Sequence, residues 1–161
     1  MDELFYKRRA EDLWKRAYSH QMDEDIDEAI ALYKCSIDTY PTAEAFTFLG
    51  WAYASQEKLE DAIAECRRAI ELDPDFGNPW NDLGAYLIEL GRLDEAIPYL
   101  ERATRATRYE SHSFPHFNLG KIYLKKGLPE KAVECFRDAL VANPTYLPAK
   151  HALERLQRGL N

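Results

Sequence analysis

A Leu-Gly pair recurs through this chain about every 34 residues, as Leu49-Gly50, Leu83-Gly84 and Leu119-Gly120, and twelve positions after each glycine stands an alanine, Ala62, Ala96 or Ala132. Self-similarity at that period is produced by stacked helical hairpins, each too small to bury its own apolar face, so that neighbouring copies must share one core. The recurrence predicts an all-α solenoid. A fold of that kind offers an extended surface suited to partner binding, and its sequence leaves the partner's identity open.

The copies can be traced with elementary helix rules. In the copy over 43–76, Phe46, Leu49, Gly50 and Tyr53 make one stripe of a first helix. Gly50 is a close-approach point, used in spite of a helix cost of about 1 kcal/mol. A second helix carries Leu59, Ala62, Ile63, Cys66, Ala69 and Ile70 and stops at Asp73-Pro74, because proline cannot continue a helix. The copy over 77–112 is expected to open with Asn78 as N-cap and Pro79 as first helical residue, and Gly91 closes its first helix. The copy over 113–146 repeats the scheme with Leu119, Gly120 and Tyr123, then Ala132, Phe136 and Ala139, ending at Asn143-Pro144. Working back by 33 residues gives a degenerate copy over 10–42, with Ala17 at the small position and Arg16 where later copies hold leucine. A last amphipathic helix over 146–158 reads as a cap for the final hairpin.

These residues resemble the tetratricopeptide repeat, whose 34-residue unit places an aromatic, Leu-Gly, Tyr, Ala and Pro at fixed offsets. Phe46, Leu49-Gly50, Tyr53, Ala62, Ala69 and Pro74 match it, as do Leu119-Gly120, Tyr123, Ala132, Phe136, Ala139 and Pro144. The resemblance implies a right-handed superhelix of four tandem hairpins plus a capping helix, all one domain. Its inner groove, lined by the first helix of each pair, would receive a peptide or helix of a partner. Arg16 and two extra residues between the third and fourth copies depart from the pattern. The Lys/Asn/Arg clamp with which some members of the family hold a chaperone's C-terminal carboxylate is not reproduced, because Trp14, Tyr18 and Phe48 stand there.

Each first helix carries a second stripe offset by roughly 130° from the core stripe. It comprises Glu11, Trp14, Tyr18 and Gln21, then Glu44, Thr47, Trp51 and Ala54, then Asn78, Asn81, Ala85 and Ile88, then Phe114, Phe117, Lys121 and Leu124. The resemblance puts this stripe on the concave surface. Its aromatics, with Trp51 foremost, are candidate anchors, and Asn81, Asn118 and Lys121 are candidate hydrogen-bonding groups. The bland alternative is that Trp14 and Tyr18 pack on the N-terminal edge and Phe114 covers the insertion. Arg102, Arg105 and Arg108 form a candidate basic ridge for an acidic partner, or merely complement a helix C-terminus.

A formal net charge of -7 argues against a general nucleic-acid binder. Residues 1–76 hold 9 Lys/Arg against 18 Asp/Glu and residues 77–161 hold 12 against 10, a polarity that favours head-to-tail homo-oligomers or is simply the solvated outside of two different halves. No apolar run is long enough to span a bilayer and no leader is visible at Met1-Asp2-Glu3-Leu4, so a soluble cytoplasmic protein is expected. Three cysteines without close spacing fit a reducing compartment. His112 and His116 are four apart, but Pro115 and a helix start at Ser113 separate them, so no metal is expected. No nucleophile, carboxylate pair or phosphate loop stands out either. The expected function is a non-enzymatic, cofactor-free scaffold or adaptor. The alternatives are a small chaperone for an aggregation-prone partner and a self-associating structural oligomer.

Overall fold

The computed structural model describes residues 2–159, which form nine α-helices in chain order: α1 Glu3–Met22, α2 Ile26–Thr39, α3 Ala43–Ser55, α4 Leu59–Leu72, α5 Gly77–Glu89, α6 Leu93–Thr104, α7 Ser113–Lys125, α8 Pro129–Ala142 and α9 Leu147–Gly159. Odd and even helices pair as antiparallel hairpins, each hairpin packs on the next, and α9 lies on α8. The result is an α-solenoid. Among the described residues no helix is long and apolar enough to cross a membrane.

Local chemistry sets the ends of these helices. The Thr42 hydroxyl accepts a hydrogen bond from the Ala45 amide at 3.2 Å and caps α3. Pro129 occupies the first turn of α8, where its missing N–H costs nothing. At the same place in each hairpin turn the chain takes a positive φ, at Glu24, Glu57, Gly91 and Gly127. Asn78 is not the cap of α5 as expected: the helix already begins at Gly77 with Phe76 at the cap position, so Asn78 and Pro79 sit inside its first turn. The chain can enter α5 without a side-chain cap because the Gly77 amide donates to Arg108 O at 3.1 Å.

The spine of the core is the contact across each hairpin. A Cβ on Gly84 would fall 2.5 Å from the Leu100 side chain and one on Gly120 would fall 2.4 Å from the Phe136 ring, so glycine is demanded there by space. Leu83, Leu87, Leu100 and Ile122 fill the centre, and Phe136 with Ala139, Ala149 and Ala152 fills the last hairpin and ties it to α9. At the other end Ala10 and Ala17 of α1 are fully buried, and Ser36 donates to Ala10 O at 2.7 Å. α1 starts at Glu3, well ahead of the boundary near residue 10. Arg16 is exposed beside Phe5, Arg8 and Arg9. Its counterpart Leu49 packs on the hairpin before it.

The odd helices touch one another from hairpin to hairpin, α1 with α3, α3 with α5 and α5 with α7, and the even helices have no comparable contacts. Convergence on that side makes it the concave one. The fold therefore lines its inner face with α1, α3, α5 and α7.

Candidate functional site

Four rings from two helices form a continuous wall at the α1–α3 end of the groove. Trp14 stacks on Phe48 at 5.4 Å between centroids, Tyr18 meets Phe48 edge-on at 5.5 Å, and Trp51 lies 6.1 Å from Tyr18. Behind them the buried Tyr33 of α2 stacks on Phe48 at 6.3 Å and donates its hydroxyl to Gln21 at 2.8 Å, which fixes the wall in place. Trp51 and Tyr18 nevertheless keep 39% and 38% of their surface open. Thr47, expected on this surface, is 1% exposed and donates its hydroxyl to Ala43 O at 2.7 Å. The neighbouring helices cover both flanks of α3, so the accessible face is narrower than the stripe predicted and leaves Thr47 no reach to a ligand.

A cleft of about 500 Å³ opens beside the wall, between Trp14, Glu44, Phe48 and Asn78 on one side and residues 107–111 on the other. The extra residues between α6 and α7 make that second side. Arg108 N donates to Asp75 O at 3.0 Å, its guanidinium pairs with Glu44 at 2.9 Å and Asp73 at 2.8 Å, and it lies 4.2 Å over the Phe76 ring. Tyr109 fills the space beside Gly77 that a Cβ would need. Arg102 also turns inward, pairing with Asp75 at 3.2 Å and covering the Trp80 ring at 5.4 Å. The candidate basic ridge is therefore dissolved. α6 ends at Thr104, Arg102 and Arg108 are engaged by acids at the α4–α5 junction or on α3, and only Arg105 projects freely among the three. His112 is held by its Nε2 against Ala106 O at 2.8 Å.

Further along, Asn118 donates its amide to Asn81 at 3.0 Å, so the two candidate ligand-binding amides bond to each other and join α7 to α5. Both are buried. Near them, burial raises the Asp82 carboxyl to about 7, and the hydrogen bond from Asn81 pulls the other way. At the α7 end Phe114 and Phe117 each lie 5.5 Å from Tyr146, Phe114 being 42% exposed. Lys121 sits 5.6 Å over the Phe117 ring. Burial, together with the adjacent Lys125, holds its ammonium below the usual lysine range.

Two of the thiols are shielded from reaction. Burial pushes the Cys66 thiol well up and the Cys135 thiol to about 11, away from the reactive thiolate. Among the described residues no cluster of three or more His, Cys, Asp or Glu is placed to hold a metal. The groove also contains two residues outside the predicted stripe, Phe48 and Tyr109. Phe48 adjoins the stripe by one position. Tyr109 comes from an insertion whose return path no helical periodicity encodes.

Comparison with known proteins agrees with the fold. The description "Tetratricopeptide repeat" matches residues 75–141 and, separately, residues 43–76. Human tetratricopeptide repeat protein 29 is 31% identical over 122 residues, covering 70% of this chain and 26% of its own length. The chain spans about a quarter or less of the curated relatives it matches first. Among solved structures, Pseudomonas aeruginosa pilF superposes with a TM-score of 0.88 at 22% identity, over 95% of this chain and 70% of that one. YrrB, described as a TPR protein with an unusual peptide-binding site, superposes at 0.73 with 24% identity, over 90% of this chain and 74% of that one. At those identities the likeness is one of fold.

Proposed function

The chain belongs to the tetratricopeptide repeat family, whose fold is a protein–protein interaction scaffold, and on that premise we propose that its concave groove binds a segment of a partner protein anchored on Trp14, Tyr18, Phe48 and Trp51. The observation that carries this reading is the exposure of Tyr18 and Trp51 on a wall that Tyr33 holds rigid from behind. Rigid aromatics lose little conformational entropy on binding, and indoles and phenols are the usual energetic centres of interfaces. The cleft beside them gives a partner side chain a place to be desolvated. The chain acts here as an adaptor and not as a catalyst.

The test is capture of a partner from native extract by the wild type and by a Trp14→Ala/Trp51→Ala variant of equal helical content. With the captured partner in hand, Trp51→Ala alone is expected to weaken binding by at least about 1–2 kcal/mol. Equal affinity of wild type and variant removes the aromatic wall as the anchor.

A further inference from the structure

α9 does more than close the last hairpin. Shifting the concave stripe of α7, Phe114, Phe117, Lys121 and Leu124, by the repeat length of 34 residues lands on Pro148, His151, Arg155 and Arg158 of α9. All four of those side chains line a single cleft of about 580 Å³, together with Phe117 and the exposed Leu147. α9 is thus a fifth rung of the groove, with an apolar floor and a cationic rim.

The charge there is uncommitted. Residues 113–159 carry 8 Lys/Arg against 4 Asp/Glu, while residues 1–112 carry 13 against 24. Of those eight cations only Lys126 has an acidic partner within 4.0 Å among the described residues, and that partner is Asp94. Lys121 lies over the ring of Phe117, which lines the cleft, and is half-buried, with Lys125 a turn away and Glu89 the acid acting on it from α5. Glu154 is the one acid in the cleft lining. A half-buried ammonium beside a second one is costly in the free protein, and the cost falls when an anion arrives. Beside the aromatic wall, by contrast, Lys15 is paired with Glu11 and Arg108 with Glu44 and Asp73.

We infer that the α7–α9 end of the groove is a docking subsite for an acidic, apolar-studded segment of the partner protein, whose Asp or Glu side chains meet Lys121 and Arg155 while its apolar side chains rest on Phe117, Leu147 and Pro148. This rests on the groove reading above and adds to it a polarity: the partner segment is aromatic or apolar at the α1–α3 end and acidic at the α7–α9 end. Complementary charge of this kind steers encounter and fixes register, and it weakens as salt rises.

The experiment is selection of a displayed random-peptide library on the whole chain, repeated on Lys121→Glu/Arg155→Glu and on Trp51→Ala. Arg155→Glu alone, at an exposed position, serves if the double variant loses helicity. The expected result is a consensus with Asp or Glu clustered at one end, lost or inverted to Lys or Arg on the charge-reversed variant. Synthetic peptides of that consensus should bind the charge-reversed variant at least tenfold more weakly. Absence of acidic enrichment, acidic enrichment that survives charge reversal, or no selectable peptide at all overturns the subsite. Peptides that depend on Trp51 yet show no acidic preference leave the aromatic groove standing and remove only the subsite. Peptides that depend on Arg155 but not on Trp51 do the reverse. A single-stranded RNA that binds as tightly as the selected peptide and is lost in the same variant overturns the protein-segment assignment in favour of a general anion surface.

Discussion

The two ends of the groove solve the same geometric problem with different chemistry. At the α1–α3 end the inner face is built from rings stacked on rings, and the nearby cations Lys15 and Arg108 are already paired with Glu11, Glu44 and Asp73. At the α7–α9 end the rings Phe114, Phe117 and Tyr146 are accompanied by Lys121, Arg155 and Arg158, none of which has an acidic partner among the described residues. A repeated backbone therefore does not imply a repeated surface. The hairpin contact is preserved because packing demands it, whereas the inner stripe is free to vary and so can hold different recognition chemistry on each rung.

If the two ends are independent, each should fail without the other. The largest expected effect is on stability: Phe136→Ala, which empties the fully buried contact opposite Gly120, should cost about 3–5 kcal/mol. Because each repeat contacts only its neighbours, the loss should be concentrated in α7–α9. Amide hydrogen exchange would read it as protection lost in α7–α9 and kept in α1–α4. Equal loss throughout would show the solenoid to be one cooperative unit and the division of the groove to be chemical only.

Between the ends lies Asp82, and its titration provides a second probe. Its carboxyl is raised to about 7 in the fold, against about 3.9 in an unfolded chain. The native state then holds more protons than the unfolded state between those values. The stabilisation is complete below about pH 4 and is lost as pH rises through 7. Asp82→Asn should remove this dependence and gain on the order of 1–2 kcal/mol at pH 8 relative to the wild type. That is less than the full shift would supply, because part of the Asp82 surface is open to water. His116, whose burial lowers its pKa, slopes the opposite way in both proteins and cancels in the difference. Urea titrations of the pair at pH 5 and pH 8 measure the effect, and parallel curves would reject it.

How much of this was legible from residues alone follows the same divide between packing and surface. The Leu-Gly and Ala offsets mark the hairpin contact, and the structure adds which large side chain each glycine faces, Leu100 against Gly84 and Phe136 against Gly120. The inner stripe was only partly legible. Angular offset places Trp51 and Tyr18 outward correctly. It also places Thr47 and Asn81 there, and these are buried because flanking odd helices cover more of the circumference in the middle of the stack than a lone helix suggests. Arg108 departs from the expected ridge for a different reason. Its partners Asp73 and Glu44 lie far back along the chain, and no local period reports a loop that folds back over an earlier hairpin. The rung on α9 was encoded by the 34-residue shift all along, and reading that helix only as a cap concealed it.

The smallest expected effect lies in the hairpin turns, where the two ends again differ. The position of positive φ is filled by Glu24 and Glu57 in the first two hairpins and by Gly91 and Gly127 in the last two. A side chain in the left-handed region costs roughly 1 kcal/mol or a little more. Glycine gives part of that back by its larger unfolded-state entropy. Glu57→Gly should therefore raise stability by about 0.5–1 kcal/mol. Gly127→Glu should lower it by a similar amount, with space no obstacle, since a Cβ at Gly127 would meet nothing within 4 Å. Thermal melts of the two single variants and of the double variant decide the matter. A double variant indistinguishable from the wild type means that the turn cost is the same at both ends and that the difference between them lies in the inner face alone. A residual difference means that the glutamates in the N-terminal turns contribute contacts that offset their strain.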